Sequence, residues 1–289
     1  MDLLELVKLS PLMERTSGRP EIMVGLIDGP VALNHPDLAD GNIREVPGIG
    51  GGVCVQVSSA ACLHGTFISG ILFAKRDSPA PAICPNCTLL VCPIFAETVV
   101  ANGELPNAKP QELAQAILAC IEAGARVLNV SAAMAQPSSQ SERTLEEVLD
   151  QAARRGVIVV AAAGNQGTLG STAITRHPWV IPVVAYDLQG RPMGQSNLGR
   201  SIGRRGLGAP GDRITSLGAR GKPLTLGGTS AAAPFVTGAI ALLWSEFPGA
   251  TAAAVKFAVT QASAPRRNTV VPPLLDAWAA YQVMVKTRF

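Results

Sequence analysis

The chain is poor in aromatic side chains, which make up 4% of its 289 residues, and it carries little net charge. Its 24 basic and 21 acidic residues leave a formal charge of +3, which is too small to indicate a nucleic-acid partner. We therefore expect adjacent basic residues such as Arg154-Arg155 to lie on a solvated surface. Hydrophobic residues make up 47% of the chain, so a large core can be buried.

Long hydrophobic runs are absent as well. No stretch of the length that a bilayer requires is free of polar interruption, so we expect no membrane partner. The first residues, MDLLELVKLSPLMERT, lack the basic start, apolar centre and cleavage site of a secretion signal. Residues 1–16 are predicted to form an amphipathic helix. We expect a cytoplasmic protein, the alternative being a signal removed before this numbering begins.

The six cysteines allow three interpretations. Without a secretion signal, free thiols are the first expectation for Cys54, Cys62, Cys84, Cys87, Cys92 and Cys120. A second hypothesis is a local redox pair in the motif Cys84-Pro-Asn-Cys87. A third is a four-thiolate zinc site made by Cys54, Cys62, Cys84 and Cys87, although a single C-x-x-C motif is a weak signal.

Apolar runs alternate with helical patterns along the whole chain. The runs at 22–27, 88–94, 126–130, 157–162 and 180–185 are predicted strands, and helical spacing marks 113–121 and 145–152. Residues 203–223 are predicted to form surface turns with one short strand, followed by helices at 251–261 and 273–287. This alternation predicts an α/β fold with a mainly parallel sheet and helices on both faces. We expect one domain over residues 1–289, with its core at about 20–262.

Four polar residues stand where such a sheet places its functional sites. Asp28 and Asn165 follow predicted strands, whereas His64 and Ser230 open predicted helices. The carboxyl ends of parallel strands and the amino ends of the following helices meet at one edge of the sheet. Each residue alone is explained more simply as a turn residue or a helix cap. The four together, in this set of side-chain types, favour a catalytic site.

These side chains suit nucleophilic catalysis. A serine hydroxyl is a weak nucleophile until a neighbouring histidine takes its proton. A carboxylate on the other ring nitrogen holds the histidine in the required tautomer and stabilises its charged form. Backbone N–H groups at a helix start and a side-chain amide can then stabilise an oxyanion. This chemistry assigns Asp28, His64 and Ser230 as a catalytic triad and Asn165 as an oxyanion donor.

The motifs around these residues resemble those of the subtilases. The chain has I-D-G at Asp28, H-G-T at His64, A-G-N at Asn165 and G-T-S-A-A-A-P at Ser230, and the order Asp, His, Ser is that of the subtilisin-like enzymes. The last motif is highly specific. The resemblance covers about residues 20–262. It implies a three-layer subtilisin-like fold and a serine endopeptidase that forms an acyl-enzyme on Ser230.

The resemblance also implies where a peptide substrate would bind. An extended peptide would add to the sheet as an extra strand, with residues around 101–105 as the opposite wall. Gln166 stands at a position that is acidic in some relatives, so we expect small or neutral residues before the scissile bond. The residues implied in substrate binding are Ser131, Ala132, Ala133, Ala163, Gly164 and Gln166.

Other features separate the chain from the secreted subtilisins. The aspartate motif is D-G-P-V, Phe67 stands where many members have a second histidine, and residues 75–79 do not resemble a calcium loop. No cofactor or metal site is therefore predicted, and the sequence identifies no site at which calcium would bind. The interval before Asp28 is also too short for the usual inhibitory propeptide.

With these features, the sequence is most similar to the cyanobactin-type maturation proteases. One kind in that subgroup removes leader peptides, and another cleaves and macrocyclises and carries a helical insertion between Asp and His. The short interval from Asp28 to His64 favours removal of a leader sequence from a ribosomal precursor peptide. The alternatives are a transpeptidase or macrocyclase of the same pathway and a catalytically inactive subtilase that binds peptides.

Overall fold

Seven parallel strands form the central sheet in the computed structural model, which describes residues 2–97, 108–131, 139–262 and 269–287. In spatial order they are β2, β3, β1, β4, β5, β6 and β7. A separate antiparallel pair is formed by β8 and β9. The strand bounds are β1 Met23–Asp28, β2 Ile43–Glu45, β3 Thr88–Pro93, β4 Val127–Val130, β5 Ile158–Ala162, β6 Val180–Tyr186, β7 Leu207–Pro210, β8 Ile214–Ser216 and β9 Leu224–Leu226.

Helices connect the strands and cover both faces of the sheet. Their bounds are α1 Leu3–Leu6, α2 Ser10–Arg15, α3 Ala60–Phe73, α4 Pro110–Glu122, α5 Ser139–Arg155, α6 Ala173–Arg176, α7 Arg200–Arg205, α8 Thr229–Glu246, α9 Ala252–Gln261 and α10 Ala277–Lys286. One hydrophobic core lies between the sheet and α3 and α8, and a second lies between the sheet and α4 and α5. The predicted mainly parallel α/β fold with helices on both faces is confirmed.

The strands are buried on both sides, which explains why they read as continuous apolar runs in the sequence. Along β1, Leu26 points into the core beneath α3 and α8, whereas Ile27 points into the core beneath α4 and α5. Leu26 pairs with Val91 of β3 on one side and with Asn129 of β4 on the other. The first strand in the sequence, β1, therefore lies in the interior of the sheet, between β3 and β4.

The chain reverses its direction of growth around β1. It first adds β3 on one side of β1 and then adds β4, β5, β6 and β7 in turn on the other side. In parallel sheets, functional sites form at the carboxyl ends of strands where the order reverses. Asp28 is the last residue of β1 and so lies at this point.

The two ends of the chain differ from the sequence prediction in detail. The single helix expected over 1–16 is wrong, because α1 and α2 are separate short helices with Lys8 between them at a φ of 50°. Pro11 stands at the start of α2, where a proline is tolerated because its missing N–H has no helical partner there. The last helix begins later than expected, at Ala277, because the Asp276 carboxylate accepts a hydrogen bond from the Ala279 N–H at 2.8 Å.

The expectation of surface turns with one short strand over 203–223 is wrong in part, because this region contains two strands and one of them is buried. Residues Leu207–Pro210 form β7, a buried strand of the central sheet, which pairs with β6. A side chain at Gly208 would meet the Tyr186 ring at 2.3 Å, so glycine is required for this strand to lie beneath the ring. Glycine usually marks a turn in sequence, and here it marks a close contact within the sheet.

Among the helices of the described ranges, none combines the length and hydrophobicity needed to cross a bilayer.

Candidate active site

Asp28, His64 and Ser230 form one continuous hydrogen-bonded chain at the carboxyl edge of the sheet. The His64 Nδ1 lies 2.7 Å from the Asp28 Oδ1, and the His64 Nε2 lies 3.0 Å from the Ser230 Oγ. An ionised carboxylate only accepts hydrogen bonds, so the His64 Nδ1–H donates to Asp28 and leaves Nε2 free to accept from the Ser230 hydroxyl. Asp28 is fully buried, whereas the His64 side chain is 12% exposed. The structure thus brings together the three residues predicted from separate parts of the sequence.

Two glycines allow β1 and α3 to approach closely enough for this contact. A side chain at Gly29 would meet the Ala61 carbonyl oxygen at 2.0 Å, and one at Gly65 would meet the Gly29 carbonyl oxygen at 2.4 Å. The strand end and the helix therefore touch backbone to backbone. This contact places His64 beside Asp28, since each functional residue is the immediate neighbour of one of the glycines.

The prediction that His64 opens its helix is wrong. Helix α3 begins at Ala60, and the Ser59 side chain caps it by accepting a hydrogen bond from the Cys62 N–H. His64 consequently lies in the second turn of the helix. The signal for the helix start in the sequence is Ser59, a common capping residue, directly before Ala60 and Ala61.

The Asp28 carboxylate is held through one of its two oxygens. Its Oδ1 accepts from the Gly29 N–H at 2.6 Å as well as from His64. Within the described part of the chain, Asp28 Oδ2 is buried without a hydrogen-bond partner. The Gly29 N–H therefore holds the same carboxylate oxygen that accepts from His64.

Ser230 stands in the first turn of α8, where the backbone N–H groups have no partner within the helix. Gly228 precedes the helix at a φ of 113°, a conformation that favours glycine. The prediction that Ser230 lies at the start of an apolar helix is confirmed. The Ser230 N–H is one of these unpaired donors. It points away from the carboxyl end of the helix, and the positive end of the helix dipole lies at the same place.

Asn165 follows β5, and Thr229 holds its side chain. The Asn165 Oδ1 accepts from the Thr229 N–H at 2.9 Å and from the Thr229 hydroxyl at 3.0 Å. The Thr229 Oγ in turn accepts from the Gly164 N–H at 3.1 Å. With its oxygen occupied, the Asn165 amide presents its Nδ2 donors, which suits the predicted role in stabilising an oxyanion.

Thr229 and Asn197 hold neighbouring residues of the site in place, and neither is predicted from the sequence. The Asn197 Oδ1 accepts from the Gln166 and Thr168 N–H groups, and its Nδ2 donates to the Gln166 Oε1 at 2.6 Å. Thr229 could have been found because it precedes Ser230 in the G-T-S motif. Asn197 gives no local signal, because it is 31 residues from Gln166 and acts only through the tertiary fold.

The residues predicted to bind substrate are described only in part. Ser131 follows β4 and is buried, and its Oγ accepts a hydrogen bond from the Asn129 Nδ2 at 2.8 Å. Ala163 is buried after β5, and Gly164 adopts a φ of 103°. Gln166 is exposed beside Asn165. Ala132, Ala133 and the proposed opposite wall at 101–105 lie outside the described residues.

The expectation of free thiols is wrong for two of the six cysteines. Cys54 and Cys62 form a disulfide bond that ties the loop after β2 to the first turn of α3. This bond also contradicts the zinc hypothesis, because both thiols are consumed. Disulfides are typical of oxidising compartments, so this bond argues against the predicted cytoplasmic location. That location stays a prediction.

The other four cysteines are free and buried: Cys84, Cys87, Cys92 and Cys120. Burial raises the pKa of Cys84, whereas a hydrogen bond from the Cys84 thiol lowers the pKa of Cys87. The two thiols of the C-x-x-C motif are therefore neighbours in reduced form. Their use as a redox pair stays a prediction.

Comparison with known proteins gives a consistent family. Residues 19–276 match the sequence model of the Subtilase family. Fervidolysin of Fervidobacterium pennivorans is 29% identical over 273 residues, which cover 83% of this chain and 36% of the relative. The chain thus spans about a third of the length of that protein.

Solved structures resemble the chain over almost its full length. The prenylagaramide maturation protease PagA has a TM-score of 0.83 at 30% sequence identity, and the match covers 96% of this chain and 98% of PagA. The PatG macrocyclase, solved in complex with a peptide, also has a TM-score of 0.83. Its identity is only 21%, over 98% of this chain and 97% of PatG, so that likeness concerns the fold alone.

Proposed function

Because this chain belongs to the Subtilase family, we propose that it is a serine endopeptidase that cleaves peptide bonds through an acyl-enzyme on Ser230. The observation that carries the proposal is the hydrogen-bonded chain from Asp28 through His64 to Ser230, with spacings of 2.7 and 3.0 Å. These distances lie within the range needed for direct proton transfer between a nucleophile and its base.

In the first half of the reaction, the Ser230 Oγ attacks the carbonyl carbon of the scissile bond. Its proton passes to the His64 Nε2, and the buried Asp28 carboxylate stabilises the charge that forms on the imidazole. The carbonyl oxygen becomes negative, and the Ser230 N–H and the Asn165 Nδ2 are the donors proposed to stabilise it. His64 then gives its proton to the leaving amine, so the peptide bond breaks and the acyl-enzyme remains.

In the second half, water takes the place of the amine. His64 accepts a proton from the water as its oxygen attacks the acyl carbon, and it returns that proton to the Ser230 Oγ when the ester bond breaks. Asp28 keeps the ring in the same orientation throughout. The balance is one peptide bond and one water consumed, with a carboxylic acid and an amine released.

A serine-reactive probe tests this proposal directly. A fluorophosphonate is expected to label Ser230 in the folded protein and to leave Ser230→Ala unlabelled. The same substitution is expected to abolish peptide cleavage and to leave the thermal unfolding midpoint nearly unchanged, because Ser230 is only half-buried and its hydroxyl makes a single hydrogen bond, to His64. Cleavage that survives Ser230→Ala would overturn the proposal, and a folded but unlabelled chain would support an inactive peptide-binding protein instead.

For the substrate, we propose that the enzyme removes a leader sequence from a ribosomal precursor peptide. PagA, at 30% identity, is a maturation protease. The chain between Asp28 and Ala60, all of it within the described residues, contains the short strand β2 and no helix. The absence of a helical insertion there supports hydrolysis over macrocyclisation. Mass spectrometry of precursor peptides after incubation distinguishes a linear product from a cyclic one, and a cyclic product would contradict this part of the proposal.

We further propose that the residue before the scissile bond is small or neutral. The Gln166 side chain carries no charge, and its Oε1 already accepts from Asn197 at 2.6 Å, so it offers no anion to a Lys or Arg side chain. Peptide-library profiling of the cleavage site is the test. A dominant preference for Lys or Arg would contradict this assignment, whereas Gln166→Glu is expected to introduce such a preference.

A further inference from the structure

A cavity of about 700 Å³ lies at the edge of the sheet opposite to Ser230. Arg126 directly precedes β4 and Val157 directly precedes β5, and both line the cavity. The candidate active site lies beyond the other ends of the same strands. A strand of the length of β5 spans about 17 Å at 3.3 Å per residue, so roughly this distance separates the two sites.

The cavity is lined by three arginines, Arg126, Arg154 and Arg155, and by no acidic residue. Across the described ranges, none of the three makes an ion pair. Arg126 is half-buried, with its guanidinium 4.5 Å above the Trp244 ring, and burial lowers its pKa because the charged form loses contact with water. One half-buried guanidinium and two exposed ones therefore line the cavity, with no ion-pair partner in the described part of the chain.

The start of helix α9 lies at the same cavity. Ala252 and Ala253 begin α9 and line the cavity, and the Thr251 cap binds only the Ala254 N–H. The N–H groups of the two alanines are consequently unpaired within the helix. The Trp179 ring forms an apolar wall, and its own N–H is already bound to the Val157 carbonyl at 2.7 Å. Donors and positive charge thus surround a space larger than a single small anion needs.

We propose that this cavity is a second peptide-binding site that takes an acidic segment of the polypeptide cleaved at Ser230. Arginine pairs with carboxylates through two parallel hydrogen bonds, and three arginines with two free N–H groups can hold several carboxylates of one chain. The identification of the ligand as the substrate rests on the proposed peptidase function. A path around the surface exceeds 17 Å, so the acidic segment lies more than about five residues from the scissile bond.

The ordinary alternative is that Arg154 and Arg155 only complement the carboxyl end of α5. In that case the pair stabilises the helix and binds no ligand. The two explanations differ in a measurable way, because only the proposed site predicts tighter binding of an acidic peptide that is lost when the cavity arginines, and not other arginines, are replaced.

Direct binding is measured with Ser230→Ala protein, so that no cleavage occurs. A fluorescein-labelled eight-residue Glu-Gly repeat is compared with its Gln-Gly counterpart by fluorescence polarisation. Ion pairs at exposed positions predict about tenfold tighter binding of the Glu peptide, weakening as salt is added. Equal affinity for the two peptides would overturn the proposal.

Matched variants locate the binding. Arg154→Gln with Arg155→Gln is expected to weaken binding of the Glu peptide about fivefold, and Arg126→Gln is expected to do the same if it folds. Arg200→Gln with Arg204→Gln removes the same charge from an exposed helix outside the cavity and is expected to leave affinity unchanged. An equal loss in both double variants would show general charge attraction and would also overturn the proposal.

Kinetics with the active protein separates this site from catalysis. A short substrate is compared with the same substrate extended by ten neutral residues and then an acidic tail, placed on either side of the cleavage site. The tail is expected to lower KM about tenfold without changing kcat, and Arg154→Gln with Arg155→Gln removes that gain. Equal KM values in all substrates would refute the second site. If the short substrate is not cleaved, the peptidase proposal fails, and the polarisation assay still decides whether the cavity binds an acidic peptide.

Discussion

Replacing Thr229 by valine is expected to loosen Asn165 without removing it. The substitution keeps the branched shape of this fully buried side chain and deletes its hydroxyl. Two hydrogen bonds are lost, one given to the Asn165 Oδ1 and one accepted from the Gly164 N–H. The Thr229 N–H still holds Asn165 at 2.9 Å, so the amide keeps one of its two anchors.

The size of the effect follows from these contacts. A single intramolecular hydrogen bond contributes about 0.5–1.5 kcal/mol, and each 1.4 kcal/mol corresponds to a factor of ten. We therefore expect kcat to fall about fivefold in Thr229→Val. Removing an oxyanion donor outright lowers kcat by about 10²–10³ in subtilisin, a member of the same family, and we adopt that measured range for Asn165→Ala. The unpaired Gly164 N–H should also cost about 1–3 kcal/mol of stability.

A double-mutant cycle isolates the positioning effect. Initial rates on a peptide substrate are measured for both single variants and for the double variant. If Thr229 acts through Asn165, the double variant is no slower than Asn165→Ala alone. The matched control is Thr88→Val, a buried threonine at the other edge of the sheet whose hydroxyl binds the Pro20 carbonyl at 2.7 Å. That variant is expected to lose stability and keep its kcat.

Two results would refute this reasoning. Full kcat in Thr229→Val would show that its hydroxyl does not position the oxyanion donor. Multiplied losses in the double variant would show that Thr229 and Asn165 act independently. A change in KM with constant kcat would point to substrate binding, since an interaction confined to the transition state appears in kcat.

Asp28→Asn is expected to lower kcat about 10⁴-fold with little effect on folding, because an amide favours the wrong imidazole tautomer; a rate-against-pH series checks it, and retained activity would contradict the triad. Gly29→Ala is expected to reduce both stability and activity, since the added carbon would meet the Ala61 carbonyl at 2.0 Å, whereas Gly249→Ala, with nothing within 4 Å, serves as the control in thermal unfolding. Burial lowers the pKa of Lys256 to about 8, below its unfolded value, so the unfolded chain binds more protons above that pH. Stability should therefore rise as pH increases from about 8 to 10, and the rise should disappear in Lys256→Met.

The sequence alone identified most of the sheet because the relevant signals are local. Strands β1, β3, β4, β5 and β6 are continuous apolar runs, as expected where both faces are buried. Within 203–223 it predicted one short strand where the structure has both β7 and β8, because the glycine and proline of β7 resemble a turn. The short strands β2 and β9 were missed, because segments of three residues carry too little pattern.

The sequence also determined which side chains belong to the candidate site. Asp28, Asn165 and Ser230 border long buried elements, and the topology of a parallel sheet brings such borders to one edge. Their mutual geometry was beyond the sequence. The backbone contact of Gly29 with Ala61 sets the 2.7 Å approach of Asp28 to His64. Gly29 and Ala61 are 32 residues apart in the sequence, so only the folded chain brings them together.

Tertiary structure alone decided the remaining features. The Cys54–Cys62 disulfide depends on how the loop after β2 folds back on α3, and spacing could not distinguish it from a thiol pair. The hold of Thr229 on Asn165 joins the start of a helix to the end of a strand 64 residues away. Arg126, Arg154 and Arg155 read as scattered surface charges in the sequence, and only the packing of β4, β5 and α9 places them around one cavity. Local patterns specify elements, whereas contacts between distant segments specify the site, because those contacts exist only once the chain has folded.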